Sequence, residues 1–141
     1  MSSAPGKTTT INFFETDNCY LVDLPGYGYS KRSKSEMQRW SELIGEYFNQ
    51  DRNFALIVAL LDIRHKPTQL DCDMIDFLHE IGLPFMLVFT KHDKLSKQQA
   101  NNQVKSISKL IGLDERIPKL AVSSEKGTNI IELKSMLASA I

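Results

Sequence analysis

The feature that most constrains the fold is the alternation of unbroken apolar runs with amphipathic stretches. Residues 54–62 are apolar up to a terminal aspartate, and residues 84–90 form a second run of this kind. Such runs are typical of parallel strands that are covered on both faces. The stretches around them repeat apolar residues at intervals of three and four, as helices packed on a sheet do. We therefore predict an α/β fold with a mostly parallel sheet and right-handed crossovers.

The remaining elements follow from local signals. Residues 7–14 and 19–23 are rich in β-branched, aromatic and apolar side chains and predict an antiparallel hairpin. The pair Thr68 and Asp71 has the spacing of a helix cap, and Ser96 with Gln99 has that of a capping box. Helices are predicted at residues 33–51, 68–82, 96–111 and 130–141, and a short last strand at residues 119–122.

Length and charge limit the classes of function. The 141 residues predict a single domain, residues 1–141, and the 17 basic and 17 acidic residues cancel. A chain without net charge is not a general polyanion binder, so any nucleic-acid contact must be local. The sequence lacks a run of about 20 apolar residues and a signal-peptide core, so we expect a cytoplasmic protein without a membrane partner.

The strand that ends at Asp23 is the first candidate site. Ligands of α/β sheets lie outside the carboxyl ends of strands, where Asp23 could hold a metal-bound water. Gly26 would allow its backbone N–H to approach a phosphate, because glycine has no Cβ. A plain turn, with Pro25 fixing φ, is the alternative interpretation.

Two further strands also end in polar loops. Thr90–Asp93 follows one buried run, and Val122–Ser124 follows the last strand. If each segment is considered alone, the alternative interpretation of Lys91–Asp93 is an exposed turn, and that of Ser123–Ser124 is the residues that lead into a helix. A phosphate-binding loop ending at Gly6-Lys7-Thr8 does not fit, because the first glycine of G-x-x-x-x-G-K-[ST] would fall on Met1.

Taken together and in order, these motifs resemble a known family. The chain resembles the translation-factor-related GTPases in having, in this order, a threonine loop, Asp-x-x-Gly, Thr-Lys-x-Asp and Ser-Ser-x-x-Gly. The residues within and beside these motifs are most similar to those of the EngB (YihA/YsxC) bacterial GTPases. The residues that carry this similarity are Ser2–Phe14, Asp23–Tyr29, Asp62–Thr68 and Thr90–Asp93. The resemblance implies a three-layer, P-loop GTPase-like sheet.

The resemblance also implies a nucleotide site. Asp93 would accept hydrogen bonds from the N1–H and exocyclic amine of guanine, and the stem of Lys91 would lie over the base. Thr8 would ligate Mg²⁺ when a γ-phosphate is present. The implied nucleotide-binding residues are Gly6, Lys7, Thr8, Thr9, Thr10, Asp23, Leu24, Pro25, Gly26, Thr90, Lys91, His92, Asp93, Val122, Ser123 and Ser124.

The function implied by the resemblance is GTP binding by a monomer, with slow hydrolysis, in large ribosomal subunit assembly and in cell division and septation. Hydrolysis is expected to be slow because Tyr27 stands where many GTPases orient water with glutamine. No catalytic residue is assigned. A basic cluster after this loop would contact ribosomal RNA phosphates or form a solvated helix face. Its members are Lys31, Arg32, Lys34 and Arg39.

In this family the phosphate-binding loop, with its strand and helix, would precede residue 1. We expect the chain to bind GTP weakly without them, because three or four lost charge-assisted hydrogen bonds exceed about 4.5 kcal/mol. An interaction module or inactive remnant that keeps the guanine loops is the alternative function. An ATP-using P-loop enzyme, without guanine preference, is a third.

Overall fold

The computed structural model describes residues 11–26 and 34–141, without the side chains of residues 34–37 and 40. The chain divides into two compact units, the first ending at Asn53 and the second running from Phe54 to Ile141. The single domain expected for residues 1–141 stays a prediction.

The first unit contains a β-hairpin and a helix. Strand β1 (Asn12–Glu15) pairs antiparallel with β2 (Tyr20–Asp23), and helix α1 covers Lys34–Phe48. The turn is closed by Thr16, whose Oγ1 donates to the Cys19 carbonyl oxygen (2.8 Å) and accepts from the Cys19 N–H (3.1 Å). The predicted hairpin is confirmed.

Aromatic packing joins β1 to the end of α1. The side chain of Tyr47 is buried, and its ring lies 6.4 Å from that of Phe13. The Arg52 guanidinium lies over both rings, at 5.2 Å from Phe13 and 5.3 Å from Tyr47. Burial raises the pKa of the Tyr47 hydroxyl, so this residue acts as a neutral core side chain with a cation on its face.

The second unit alternates strands and helices. Its elements are β3 (Ile57–Asp62), α2 (Gln69–Ile81), β4 (Phe85–Thr90), α3 (Lys97–Leu110), β5 (Lys119–Ala121) and α4 (Ile130–Ala140). The three strands are parallel, in the order β3-β4-β5. Within the described residues, none of the helices has the length and apolar character needed to cross a bilayer.

The helix boundaries follow the predicted caps. Thr68 and Asp71 form a capping box, in which the Thr68 N–H donates to Asp71 Oδ2 at 2.7 Å. Ser96 and Gln99 form a second one before α3. Helix α2 ends at Gly82, whose φ of 69° is a left-handed conformation that favours glycine. These helix ends were predictable because every partner lies within a few residues.

Strand β4 is the centre of the core. Phe85, Leu87 and Phe89 pack on one face against α2 and α3, while Met86 and Val88 pack on the other against α4. All five are at most 4% exposed. The second unit therefore has three layers, as in the predicted fold. The helix side chains of these layers include Ile75, Leu78, Ala100, Ile107, Leu133 and Met136.

Strand β3 differs from its prediction. The apolar run was expected to be covered on both faces, but Val58 is 36% and Leu60 is 63% exposed. Both are paired in register with Met86 and Val88, so they share the face that α4 covers over β4. The strand is at the edge of its three-stranded sheet, and an apolar run does not reveal how far the covering helix extends.

This contrast yields a stability test on two leucines in neighbouring strands. Leu87→Ala should lower the free energy of unfolding by about 2–5 kcal/mol, because it opens a cavity in the core. Leu60→Ala should change it by about 0.5 kcal/mol or less, because its side chain is mostly solvated. Urea unfolding followed by circular dichroism measures both, and equal losses would show that the β3 face is covered in solution.

Candidate functional site

Three loops follow the carboxyl ends of β3, β4 and β5. Asp62, the last residue of β3, is paired in register with Thr90, the last residue of β4. The β5 residue Ala121 is paired with Phe89. Because the strands are parallel, their loops leave from the same edge, which is where α/β proteins bind ligands. Two of the predicted site segments therefore come together in the second unit.

The loop after β4 carries Thr90–Asp93. Thr90 Oγ1 donates to the Leu61 carbonyl oxygen (3.4 Å), which ties the end of β4 to β3. Lys91 is exposed and has the left-handed values φ 66° and ψ 31°. A residue with a Cβ adopts this conformation at a cost of roughly 1–2 kcal/mol. A short 3₁₀ turn over His92–Lys94 follows and brings Asp93 back towards the β5 loop. Strain of this kind clusters at functional sites.

Ser123 joins the two loops. It is fully buried, and its Oγ donates to Asp93 Oδ1 at 2.8 Å. The same Oγ accepts from the Lys126 N–H at 3.0 Å, and the Ser123 N–H donates to the Thr128 carbonyl oxygen at 3.1 Å. A buried hydroxyl satisfied as both donor and acceptor has one orientation. Asp93 is therefore held by a rigid partner.

Backbone bonds reinforce this junction. Val122 is buried, its N–H donates to the Phe89 carbonyl oxygen (2.8 Å), and its carbonyl oxygen accepts from the His92 N–H (3.0 Å). Ser124 follows as an exposed residue. The structure thus places Val122–Ser124 directly beside His92 and Asp93, as the common strand edge predicts.

The Asp93 side chain combines low exposure with a stable negative charge. It is 10% exposed. The hydrogen bond from Ser123 lowers the pKa of its carboxyl below the ordinary value, and the charges of Lys94 and Lys126 act in the same direction. The group is therefore an ionised acceptor at neutral pH. Such a carboxylate can accept from two neighbouring N–H donors on a planar ligand.

Asp62 forms a local turn with Arg64, which is a role not predicted from the sequence. Arg64 donates from Nε to Asp62 Oδ1 (3.0 Å), from Nη2 to Oδ2 (2.7 Å) and from its backbone N–H to Oδ1 (2.9 Å). These bonds lower the pKa of the Asp62 carboxyl and raise that of the Arg64 guanidinium. Asp114 and Arg116 repeat the arrangement. The Asp-x-Arg spacing is the sequence signal that would have identified both turns.

Asp23–Gly26 belongs to the first unit. Asp23 ends β2 with an exposed side chain, Leu24 is half-buried, Pro25 is buried and Gly26 is exposed. A carboxylate oxygen in this position is a ligand of the type that Mg²⁺ accepts, directly or through water. Across residues 11–26 and 34–141, no group of three or more His, Cys, Asp or Glu side chains could hold a metal ion.

Several predicted residues lie outside the described part of the chain. They are Gly6, Lys7, Thr8, Thr9, Thr10, Tyr27, Lys31 and Arg32. Their phosphate, Mg²⁺, water-orienting and RNA roles stay predictions. Of the basic cluster, the described side chain of Arg39 is exposed on α1.

The sequence matches the model of one protein family and is similar to individual bacterial proteins. The model of the family "50S ribosome-binding GTPase" matches residues 1–91. The "Probable GTP-binding protein EngB" of Ligilactobacillus salivarius is 42% identical over 113 residues, covering 79% of this chain and 58% of the relative. The protein of the same name from Syntrophomonas wolfei is 40% identical over 138 residues, covering 97% and 70%. The chain thus spans from 58% to 70% of the length of these two relatives.

Solved structures agree on the fold. The crystal structure of a probable GTP-binding protein engB superposes with a TM-score of 0.82 at 20% identity, covering 99% of this chain and 86% of that chain. Aquifex aeolicus Era superposes with a TM-score of 0.68 at 18% identity, covering 94% and 46%. The predicted P-loop GTPase-like α/β fold is confirmed. Since the family model covers more than half of the chain and relatives near 40% identity align with almost all of it, the chain belongs to the EngB family of the 50S ribosome-binding GTPases.

Proposed function

We propose that this chain recognises the base of a guanine nucleotide with the loops that follow β4 and β5. The observation that carries the proposal is the 2.8 Å bond from the buried Ser123 hydroxyl to Asp93. It fixes an ionised, mostly buried carboxylate at the edge of the sheet where α/β proteins bind nucleotides. The names of the EngB relatives support the same ligand class.

The chemistry of the base explains the choice of guanine. Guanine offers two adjacent donors, N1–H and the 2-amino group, that match the two oxygens of Asp93. Adenine offers an acceptor at N1 and no 2-amino group, so it would give the carboxylate no ligand donor, and a site built to accept hydrogen bonds rejects such a base strongly. We assign the donor for the base carbonyl oxygen to the N–H of Ser124, because the N–H of Ser123 already donates to Thr128. The stem of the exposed Lys91 would cover the base plane.

The residues proposed to contact the phosphates and Mg²⁺ are assigned from the family resemblance. Gly6–Thr10 would line the phosphates, with Thr8 and a water on Asp23 as Mg²⁺ ligands and the Gly26 N–H near the γ-phosphate. Bound Mg²⁺ would neutralise charge on the phosphate oxygens. Hydrolysis is proposed to be slow, because the side chain of Tyr27 cannot orient water as a glutamine amide does.

The proposed cellular role is supported by the same family membership. We propose a cytoplasmic, monomeric protein that acts in assembly of the large ribosomal subunit and thereby in cell division and septation. The family description, 50S ribosome-binding GTPase, supports this partner. The exposed Arg39 and the neighbouring basic residues would contact ribosomal RNA phosphates, so such binding should weaken as salt rises.

Replacing one carboxylate oxygen tests base recognition. The wild-type chain should bind GDP more tightly than ADP. Asp93→Asn should lower GDP affinity at least about ten-fold and favour xanthosine diphosphate, because the new amide can donate to the carbonyl that replaces the 2-amino group. Calorimetry with nucleotide up to about 1 mM, where binding of roughly −4 kcal/mol is detectable, measures each affinity.

The matched control is Asp76→Asn, which removes an exposed carboxylate on α2 and should leave all affinities unchanged. An unchanged ratio of GDP to ADP affinity in Asp93→Asn would favour the ATP-using enzyme. Absence of GDP and ADP binding by a chain that circular dichroism shows to be folded would favour the interaction module.

The lowered pKa of Asp93 predicts a pH dependence with a definite sign. The carboxylate stays ionised down to pH values below its ordinary 3.8, so its acceptors are lost only as pH falls through that lower value. Ser123→Ala removes the main cause and should raise the pKa. The ratio of wild-type to Ser123→Ala affinity for GDP should be constant above about pH 6 and should increase towards pH 4, because the variant is protonated first. A ratio that stays constant throughout would contradict the role of Ser123.

A further inference from the structure

Lys94 lies between the two proposed guanine loops. Its ammonium is 3.7 Å from Asp93 Oδ2 and 3.8 Å from Glu125 Oε2. Asp93 belongs to the loop after β4, and Glu125 belongs to the loop after β5. The side chains of Lys94 and Glu125 are 46% and 65% exposed, whereas that of Asp93 is 10% exposed.

Both distances are longer than an N–H···O hydrogen bond of about 2.7–3.2 Å. The ammonium is therefore shared between two carboxylates and is bonded closely to neither. The backbone of Lys94 is held, because its N–H donates to the Lys91 carbonyl oxygen at 3.0 Å. The flexible side chain alone determines how near the charge comes to Asp93.

We propose that Glu125 is a positioning residue that holds the Lys94 ammonium away from Asp93 and so keeps Oδ2 available for the guanine 2-amino group. This inference rests on the proposed function. Oδ1 already accepts from Ser123, which leaves Oδ2 as the freer of the two oxygens for a base donor. Without Glu125, the attraction that opposes closer approach of Lys94 to Asp93 is lost, and a close ammonium would compete with the base for Oδ2.

The inference predicts a rescue that a purely structural role for Glu125 would not produce. Glu125→Gln should weaken GDP binding roughly three- to five-fold, in keeping with the upper range for an exposed ion pair. Adding Lys94→Met should restore affinity to within about two-fold of the wild type, because the competing ammonium is gone. The loss in Glu125→Gln should shrink at high salt, which screens exposed charges.

A second readout does not need a nucleotide. The ¹³C resonance of the Asp93 carboxyl group, followed by NMR against pH, should show a lower pKa in Glu125→Gln than in the wild type. Because loss of the Glu125 charge would by itself lower this pKa, only a decrease that Lys94→Met abolishes reports movement of Lys94. Lys94→Met should raise that pKa, and the double variant should match Lys94→Met. Glu80→Gln, which neutralises an exposed carboxylate on α2, is the control and should move neither readout.

The outcomes separate this inference from the proposed function. A wild-type chain that binds GDP no better than ADP overturns guanine recognition, while the Asp93 titration still decides whether Glu125 restrains Lys94. GDP binding that Glu125→Gln leaves unchanged, or a loss that Lys94→Met does not restore, overturns the role of Glu125. An Asp93 titration that is insensitive to Glu125→Gln does the same.

Discussion

The burial of β4 between two parallel neighbours is the constraint on which the second unit depends. Phe85, Leu87 and Phe89 on one face, with Met86 and Val88 on the other, place this strand in the middle of three layers. Each fully buried aliphatic or aromatic side chain contributes about 1.5–3 kcal/mol. Parallel pairing on both sides then fixes the starting points of all three carboxyl-end loops. The position of the candidate site is thus a consequence of core packing.

Polar groups at this edge are arranged by the same packing. Val122 bonds to both Phe89 and His92 through its backbone, so the β5 loop cannot shift without breaking the junction with the β4 loop. These backbone bonds between the two loops place the buried Ser123 hydroxyl at the carboxylate of Asp93. Leaving either group without its partner would carry a desolvation cost, which explains why the pair is rigid. Rigidity of an acceptor is what discrimination between two similar bases requires.

The two Asp-x-Arg turns show that the same local hydrogen-bond pattern can lie at the candidate site or away from it, depending on its position in the fold. Asp62 with Arg64 and Asp114 with Arg116 have the same pattern of bonds. The first follows the carboxyl end of β3, and the second precedes β5 at the opposite edge of the sheet. In the first turn, the charge of Asp93 contributes to raising the pKa of the Arg64 guanidinium. The turn itself is a property of the local sequence, and its relation to the site is not.

The sequence by itself determined whatever depends on neighbours a few residues apart. The caps at Thr68 and Ser96, the end of α2 at Gly82 and the periods of strands and helices are all local, and the ordered motifs sufficed to identify the family. Tertiary structure decided what depends on distant partners. Leu60 and Leu87 both lie in apolar runs, yet only the second is buried, because exposure is set by which helix covers which part of the sheet. The contacts of Asp93 with Ser123 and of Lys94 with Glu125 span about thirty residues, and only the folded sheet brings their carboxylates, hydroxyl and ammonium together.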